Sequence, residues 1–448
     1  MRTPIADFVL SYAEKSTTRL HMPGHKGSRM LGFECFDITE IKGADVLYAP
    51  EGIIAESEDN CTSLFGTEHS FYSTEGSSLA IKAMLSLAVT ASGEEKPLVL
   101  AARNAHKAFL YAAVWLDFQI EWLSPEENDH LCACKISKEG VEKAILLAKT
   151  KPCAVYLTSP DYLGNLADIQ GIATVCRAHN IPLLVDNAHG AYLKFVSPDM
   201  HPISLGATMC CDSAHKTLPV LTGGAYLHIA KGADSYFTEN ARQALSSFAS
   251  TSPSYLILTS LDLCNSYLHE EYQMTFAECV EKVTRIKALI RSHGCKTVGD
   301  EPLKLTIDAP SIGYTGEELA EHLRRYGIES EFADQDYLVL MFSPQNEEID
   351  YIRLEQALFS AIEEKRGVLT TKSAPPQTMP PVRMTPRQAI LKRNETIPTT
   401  QAVGRIAASP TVSCPPAIPI VISGEEITNE VVKCLLHYGM DTVSVVKE

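Results

Sequence analysis

The feature that most constrains this chain is an alternation of short apolar runs with helix-length segments between residues 60 and 230. Four apolar runs are bounded by polar residues, Gly or Pro, which predicts buried strands: PLVLAA at 97–102, AVYLT at 154–158, LLVD at 183–186 and AYLHI at 225–229. Strands that alternate with helices predict an α/β fold with a mostly parallel sheet. In such sheets ligands bind at the carboxyl ends of the strands.

The rest of the chain predicts further folding units. A long helical stretch is expected at about 256–294, and LKLTID and YLVLMF flank the helix-like GEELAEHLRRYGI, which predicts a small α+β unit. SAPPQTMPPVRMTP is rich in proline and predicts a stiff linker. The predicted organisation is an N-terminal segment at 1–60, a large domain at 61–294, a small α+β domain at 295–370, a linker at 371–386 and a C-terminal α+β domain at 387–448.

Composition excludes several classes of protein. The formal net charge is −16 and no Lys/Arg stripe is present, so we expect no nucleic-acid partner. No apolar run approaches the roughly 18 residues of a membrane-spanning helix, and the N-terminus lacks a signal-peptide core. The 13 cysteines are scattered without a C-x-x-C pair, which is typical of reduced thiols and gives no metal site. We therefore expect a soluble, cytoplasmic protein without a membrane partner.

The densest group of candidate functional residues is DSAHKTLPVLTGG at 212–224. Lys216 follows His215 directly and precedes a Gly pair. A lysine in a desolvated cleft near positive charge more readily becomes the neutral amine that attacks an aldehyde. Lys216 is therefore a candidate for forming a Schiff base. A surface loop lysine is the simpler alternative.

Asp186 ends the apolar run LLVD, where an unpaired carboxylate would be costly. A protonated pyridine nitrogen would satisfy it, and the ion pair would keep the ring electron-poor. The alternative is an aspartate that only caps the following turn.

A third candidate is the Gly-Ser-Ser step that opens an amphipathic helix at STEGSSLAIKAML, residues 73–85. A helix N-terminus offers free N–H groups and a positive dipole end, so Gly76, Ser77 and Ser78 could bind a phosphate. The hydroxyl of Ser213 could add to the same site. The alternative is a helix cap that binds nothing.

His106 in RNAHKAF follows the first predicted strand. At the carboxyl end of that strand its imidazole could stack on a flat cofactor and transfer protons, although a lone histidine is more often structural. All four candidate groups follow predicted strands or open a predicted helix, so we expect them at one edge of one sheet.

Seven motifs in order resemble one known family. They are HMPGHKG (21–27), GSS (76–78), NAHKA (104–108), TSPDYLG (158–164), VDNAHGA (185–191), SAHKTLPVLTGG (213–224) and TSPSY (251–255). Together they resemble the ornithine/lysine/arginine decarboxylases of fold type I, which use pyridoxal 5′-phosphate (PLP). The likeness extends to GYTGEELAEHLRRYGIESE and to VGRIAASPTVSCPPAIPIVISGEEI, so it covers nearly the whole chain.

The resemblance implies a large domain of the aspartate aminotransferase type and a role for each matching residue. Lys216 holds PLP as a Schiff base, and His215 beside it contacts the cofactor or the substrate carboxylate. Asp186 pairs with the pyridine nitrogen, His106 stacks on the ring and His189 lies near the Schiff base.

The resemblance also implies a phosphate site and a dimer. Ser77, Ser78 and Ser213 hold the phosphate, together with Thr251 or Ser252 from across a dimer interface. The family builds its active sites between two subunits, so we expect an obligate homodimer.

Three departures from the family pattern stand out. Asn187 replaces an acidic residue that commonly follows the pyridine-binding Asp, and Glu75 precedes GSS where a small or amide residue is usual. HMPGHKG begins at residue 21, which resembles the compact form of the family without a receiver-like N-terminal domain. That form puts assembly into large rings in doubt.

The activity that the resemblance implies is decarboxylation of a basic L-amino acid to the amine and CO2. Arginine or lysine is favoured as the substrate over ornithine. Such a reaction would serve polyamine synthesis or acid consumption. The distal cation of the substrate needs a carboxylate, for which Glu51 and acidic residues of the other subunit are candidates. Two alternatives stay open: another fold type I enzyme, such as an aminotransferase or a lyase, and a non-catalytic regulatory homologue.

Overall fold

The computed structural model describes residues 1–126, 130–364, 367–369, 379–411 and 418–447. Two compact units are present. The first contains residues 1–99, 148–157 and 169–273, and the second contains residues 100–147, 158–168 and 274–448. Among the residues described, no helix combines the length and the apolar character needed to cross a membrane.

The α-helices are α1 Pro4–Glu14, α2 Ile53–Phe65, α3 Ser77–Ser92, α4 Lys107–Leu116, α5 Lys138–Leu147, α6 Ile169–Ala178, α7 Ala214–Thr217, α8 Ser235–Ser246, α9 Tyr255–Glu270, α10 Tyr272–Ser292, α11 Gly316–Arg324, α12 Glu348–Glu363, α13 Pro386–Ile390 and α14 Asn429–His437. The strands are β1 His69–Ser73, β2 Leu98–Ala101, β3 Gln119–Trp122, β4 Ala154–Thr158, β5 Leu183–Asp186, β6 Met209–Asp212, β7 Ala225–Ile229, β8 Lys296–Val298, β9 Lys304–Asp308, β10 Phe332–Ala333, β11 Tyr337–Met341, β12 Asn394–Pro398 and β13 Thr442–Val446.

The first unit is built on strands in the order β1-β7-β6-β5-β4-β2. β5 and β6 are parallel, whereas β7 is antiparallel to both β1 and β6. The strand β2 begins in this unit and ends in the second, where β3 pairs with it. The predicted α/β class is confirmed, and all four predicted strands are present as β2, β4, β5 and β7.

Sequence patterns explain most of these elements. The residues of β2, β5 and β7 are buried throughout, as expected for strands covered on both faces. The helix α6 buries Ile169, Ile172, Ala173 and Cys176, the apolar face predicted from their spacing. The predicted helical stretch at 256–294 is divided into α9 and α10, because the backbone of Glu271 leaves the helical region.

The second unit contains an antiparallel sheet in the order β10-β11-β9-β8. The helix α11 begins with a capping box formed by Thr315 and Glu318 and packs against α12 and β11. A two-stranded sheet of β12 and β13 shares an apolar core with α14. Residues 371–378 of the predicted linker lie outside the described residues, and the predicted domain bounds remain a prediction.

A buried ion pair ties together distant segments of the second unit. Both terminal nitrogens of Arg103 donate to the carboxylate of Glu425, at 2.9 and 2.8 Å. The guanidinium also lies over the ring of Trp122, 4.7 Å from its centroid. A two-point contact of this kind fixes direction as well as distance, so it orders the chain that follows β2.

Candidate active site

Lys216 lies on the short helix α7, which follows β6 in the first unit. Its Nζ is 3.0 Å from Nε2 of His189. His189 is only 5% exposed and follows β5, the parallel neighbour of β6. The carboxyl ends of two parallel strands therefore bring the predicted Schiff-base lysine and the predicted neighbouring histidine into contact.

Asp186 is the last residue of β5 and is 2% exposed. Its carboxylate accepts hydrogen bonds from the Tyr156 hydroxyl at 3.1 Å and from the Ala188 N–H at 3.2 Å, with the Cys211 thiol at 3.7 Å. Burial raises the pKa of Asp186, and the positive charge of Lys216 acts against that rise. The charge of Lys216 therefore acts on the carboxylate of Asp186, and the roles of both residues remain predictions.

The predicted phosphate residues meet at the N-terminus of α3. The hydroxyl of Ser213 donates to the hydroxyl of Ser77, with 2.8 Å between the two oxygens. Gly76 is the N-cap of α3 at φ 72°, a conformation that favours glycine. Within the part of the chain that the structure describes, no side chain caps this end of the helix. The first turn of α3 thus has the form of an anion site beside β6.

A Gly pair fixes the loop that opens α3. The N–H of Gly76 donates to the carbonyl of Gly223 at 2.7 Å. Gly223 has φ 102°, and a Cβ there would lie 2.8 Å from the carbonyl oxygen of Thr74. The Gly223–Gly224 pair noted in the sequence therefore permits a close approach of two backbones at the candidate phosphate site.

His215 is held by the same turn. Its Nδ1 lies 2.9 Å from the carbonyl oxygen of Gly224, so Nδ1 carries the proton and donates. Burial lowers the pKa of His215, and the charge of Lys216 lowers it further. His215 is therefore a neutral side chain fixed beside Lys216, and its contact with cofactor or substrate remains a prediction.

Three further predicted residues are described by their own elements. His106 is the N-cap of α4 in the second unit, where its Nδ1 accepts from the Ala108 N–H at 3.1 Å. Thr251 and Ser252 are exposed in the segment between α8 and α9. Their roles in stacking and in reaching a second subunit remain predictions.

The departures from the family pattern have local explanations. The side-chain amide of Asn187 donates to Asp212 at 2.7 Å, and the other carboxylate oxygen of Asp212 is 3.0 Å from Nε2 of His201. A buried negative charge is therefore present next to Asn187, but on β6 rather than β5. Glu75 accepts from the Ser250 N–H at 2.6 Å and so holds the segment that leads to Thr251.

Sequence reasoning missed Tyr156 and Cys211 as neighbours of Asp186. One signal was available, because a tyrosine inside the buried run AVYLT needs a partner for its hydroxyl. That partner could not be named, since it depends on how β4 aligns with β5.

The residues present fit PLP. Asp186 is a buried carboxylate, and its hydrogen-bond donors among the described residues are all neutral. A protonated pyridine would supply the cation that stabilises such an anion. Lys216 provides an amine near the same carboxylate, and the N-terminus of α3 with Ser77 and Ser213 provides donors for a phosphate.

Comparison with known proteins gives the relatives of this chain. The family described as "Orn/Lys/Arg decarboxylase, major domain" matches residues 3–301, and its C-terminal domain matches residues 369–440. An arginine decarboxylase of Bacillus subtilis is 30% identical over 96% of this chain and 92% of its own length. An arginine decarboxylase of Halalkalibacterium halodurans is 30% identical over 95% of this chain and 91% of its own length.

Solved structures show the same fold. Lysine decarboxylase A from Pseudomonas aeruginosa has a TM-score of 0.82 at 19% identity, covering 99% of this chain and 80% of its own. The predicted fold type I architecture and the resemblance found in the motifs are thus both confirmed. This chain belongs to the Orn/Lys/Arg decarboxylase family.

Proposed function

We propose that this protein decarboxylates a basic L-amino acid, with arginine favoured over lysine and ornithine, and that it uses PLP bound through Lys216. The observation that supports this most directly is the position of Lys216. Its Nζ contacts His189, and its charge acts on the buried Asp186. An amine, a proton carrier and a buried carboxylate at one sheet edge are the groups that PLP chemistry requires of a protein.

The contacts of each residue support a proposed role in the reaction. When bound, PLP would supply an electron-withdrawing ring for the bond to the carboxylate. Asp186 would keep the ring nitrogen protonated, and Lys216 would hold and release the cofactor. His189 would pass a proton to or from Lys216, and the 3.0 Å between their nitrogens supports this role.

Arginine is favoured because two relatives that align over nearly the whole chain are named arginine decarboxylases. A guanidinium binds best to a carboxylate that accepts two parallel hydrogen bonds. Glu51 is exposed, and its backbone N–H donates a hydrogen bond to the carboxylate of Asp45. It remains our candidate within this chain, together with acidic residues of a second subunit.

A homodimer in the cytoplasm is part of the proposal. Three apolar side chains of the N-terminal segment are largely exposed in the single chain: Leu20 (90%), Met30 (84%) and Leu31 (76%). Burial against a second copy would remove this apolar surface from water. All cysteines in the described residues are free, which suits a reducing compartment, and the amine product suits polyamine synthesis.

The test is a product assay on the purified protein. Arginine, lysine and ornithine are each supplied, and CO2 and the amine are measured; we expect both products, fastest from arginine. Lys216→Ala should abolish turnover. Lys231→Ala is the matched control. This exposed lysine follows β7, whose last residue pairs with the first residue of β6, so it lies at the opposite end of the strands from Lys216.

Other outcomes point to the alternatives. Keto-acid formation without CO2 would indicate an aminotransferase. A protein that binds no PLP and releases no CO2 would be a regulatory homologue, and full turnover by Lys216→Ala would refute the assignment of the lysine.

A further inference from the structure

The carboxylate of Asp186 has three hydrogen-bond donors from its own unit. Its Oδ1 accepts from the Ala188 N–H at 3.2 Å and lies 3.7 Å from Sγ of Cys211. Its Oδ2 accepts from the Tyr156 hydroxyl at 3.1 Å. A carboxylate has roughly four sites for donors, so the site left for a cofactor is on Oδ2. That oxygen is the one that Tyr156 contacts.

Tyr156 is held in place for this contact. It lies in the middle of β4, is fully buried, and β4 is the sheet neighbour of β5. Burial raises the pKa of the Tyr156 hydroxyl well above its ordinary value, and the charge of Asp186 raises it further. The hydroxyl therefore stays protonated and acts as a donor to the carboxylate.

A donor to a carboxylate weakens that carboxylate as a base. If Asp186 faced a pyridine nitrogen, the two groups would share one proton, and its position would depend on their relative basicity. A hydrogen bond from Tyr156 stabilises the ionised carboxylate, so it would favour the proton on the ring nitrogen. Without that bond, the proton would move toward Asp186 and the ring would withdraw electrons less strongly.

We propose that Tyr156 is a positioning residue that sets the protonation of the cofactor ring by donating to Oδ2 of Asp186. This rests on the proposed function, because it requires PLP at Asp186. In this proposal Tyr156 acts through Asp186 and is assigned no contact with the substrate.

The experiment measures the ring nitrogen directly. The holoenzyme is prepared with PLP labelled with ¹⁵N at the ring nitrogen, and its NMR shift is compared among variants. Tyr156→Phe should move the shift toward that of a neutral pyridine and weaken PLP affinity about tenfold, the effect of one hydrogen bond to a charged group. Cys211→Ala should have a smaller effect, because a thiol is a weak donor.

Two further variants keep the test decisive. Tyr226→Phe removes a hydroxyl from another fully buried tyrosine, on β7, and should leave the shift unchanged. Replacing Tyr156 with 3-fluorotyrosine keeps the ring and strengthens the donor, so the shift should move in the opposite direction from Tyr156→Phe. This second substitution also tests the idea if the phenylalanine variant does not fold.

The outcomes separate this inference from the proposed function. If the wild-type protein binds PLP and both Tyr156 variants keep the wild-type shift, the role of Tyr156 is refuted and the decarboxylase proposal stands. If the wild-type protein binds no PLP at all, the proposed function fails and this inference fails with it.

Discussion

At the scale of single residues, the contact between His189 and Lys216 puts an imidazole beside the candidate Schiff-base lysine. The two nitrogens are 3.0 Å apart, and His189 is nearly inaccessible to solvent. A histidine in this position can carry a proton to or from the lysine without exchange with bulk water. We therefore expect the loss of this imidazole to affect proton transfer more than cofactor binding.

This leads to a prediction for His189→Phe. The variant keeps a flat ring but loses Nε2, so we expect kcat for arginine to fall about 100-fold while PLP remains bound, as for the loss of a general acid or base. The measurements are the rate of CO2 release and the cofactor content per chain. His179→Phe is the control, because His179 lies between α6 and the start of β5, at the other end of that strand from His189. An unchanged rate in His189→Phe would exclude a proton-transfer role.

At the scale of elements, the alignment of β5 with β6 builds a polar network behind the site. Asp186 is paired with Cys211 in register, so the following residues Asn187 and Asp212 also meet. Nε2 of His228, on β7, is 3.3 Å from the same oxygen of Asp212 that contacts His201. Three strands are therefore joined by one buried carboxylate.

The network makes stability depend on pH. Burial lowers the pKa of His228, so between its unfolded value of about 6.5 and its lower folded value the unfolded chain binds a proton that the folded chain does not. Stability should therefore fall as the pH drops below about 6.5. Burial alone would raise the pKa of Asp212, but the two histidines hold it below its ordinary value, so a second loss should follow below about pH 4.

We predict that His228→Asn reduces the first of these losses. The asparagine amide can keep the hydrogen bond that Nδ1 of His228 shares with Ser70. The free energy of unfolding, measured with urea at pH 7.5 and 5.5, should fall less in the variant than in the wild type, by up to about 1.4 kcal/mol per pH unit. Part of the wild-type loss should remain, because burial also lowers the pKa of His215. Equal losses in both proteins would contradict this account.

The sequence could predict the bounds of several strands but not the way they align. β4, β5 and β7 have the predicted bounds, because each is a run of mostly apolar residues. β4 and β5 end at a polar residue, and β7 begins after Gly224. β6 was missed because MCCD is short and lacks β-branched residues, although it leads directly to Lys216. The contact of Tyr156 with Asp186 was beyond sequence reasoning, because strand register is set by tertiary packing.

At the scale of the whole molecule, the proposal requires a second copy of the chain. The exposed apolar residues Leu20, Met30 and Leu31 belong to one N-terminal segment, and Thr251 and Ser252 are exposed as a residue that reaches a neighbouring site must be. Exposed apolar side chains of this size are candidates for burial in an interface between two copies. Dimer formation and activity should therefore be lost together.

The corresponding prediction concerns Leu31→Asp. A charge placed in an apolar interface leaves an unpaired ion on association, so the variant should sediment as a single chain at concentrations where the wild type is a dimer. Ile349→Asp, at a half-exposed position of α12, is the matched control and should remain dimeric. A fully active Leu31→Asp monomer would show that the active site is complete in one chain.

The central claim is that Lys216 carries the cofactor, and one measurement tests it directly. The purified protein is treated with borohydride, which fixes a bound pyridoxyl group on its lysine, and is then digested and analysed by mass spectrometry. We predict a single modified lysine, at position 216. A pyridoxyl group on any other lysine, or an unmodified Lys216 in a protein that releases CO2 from arginine, would contradict the account.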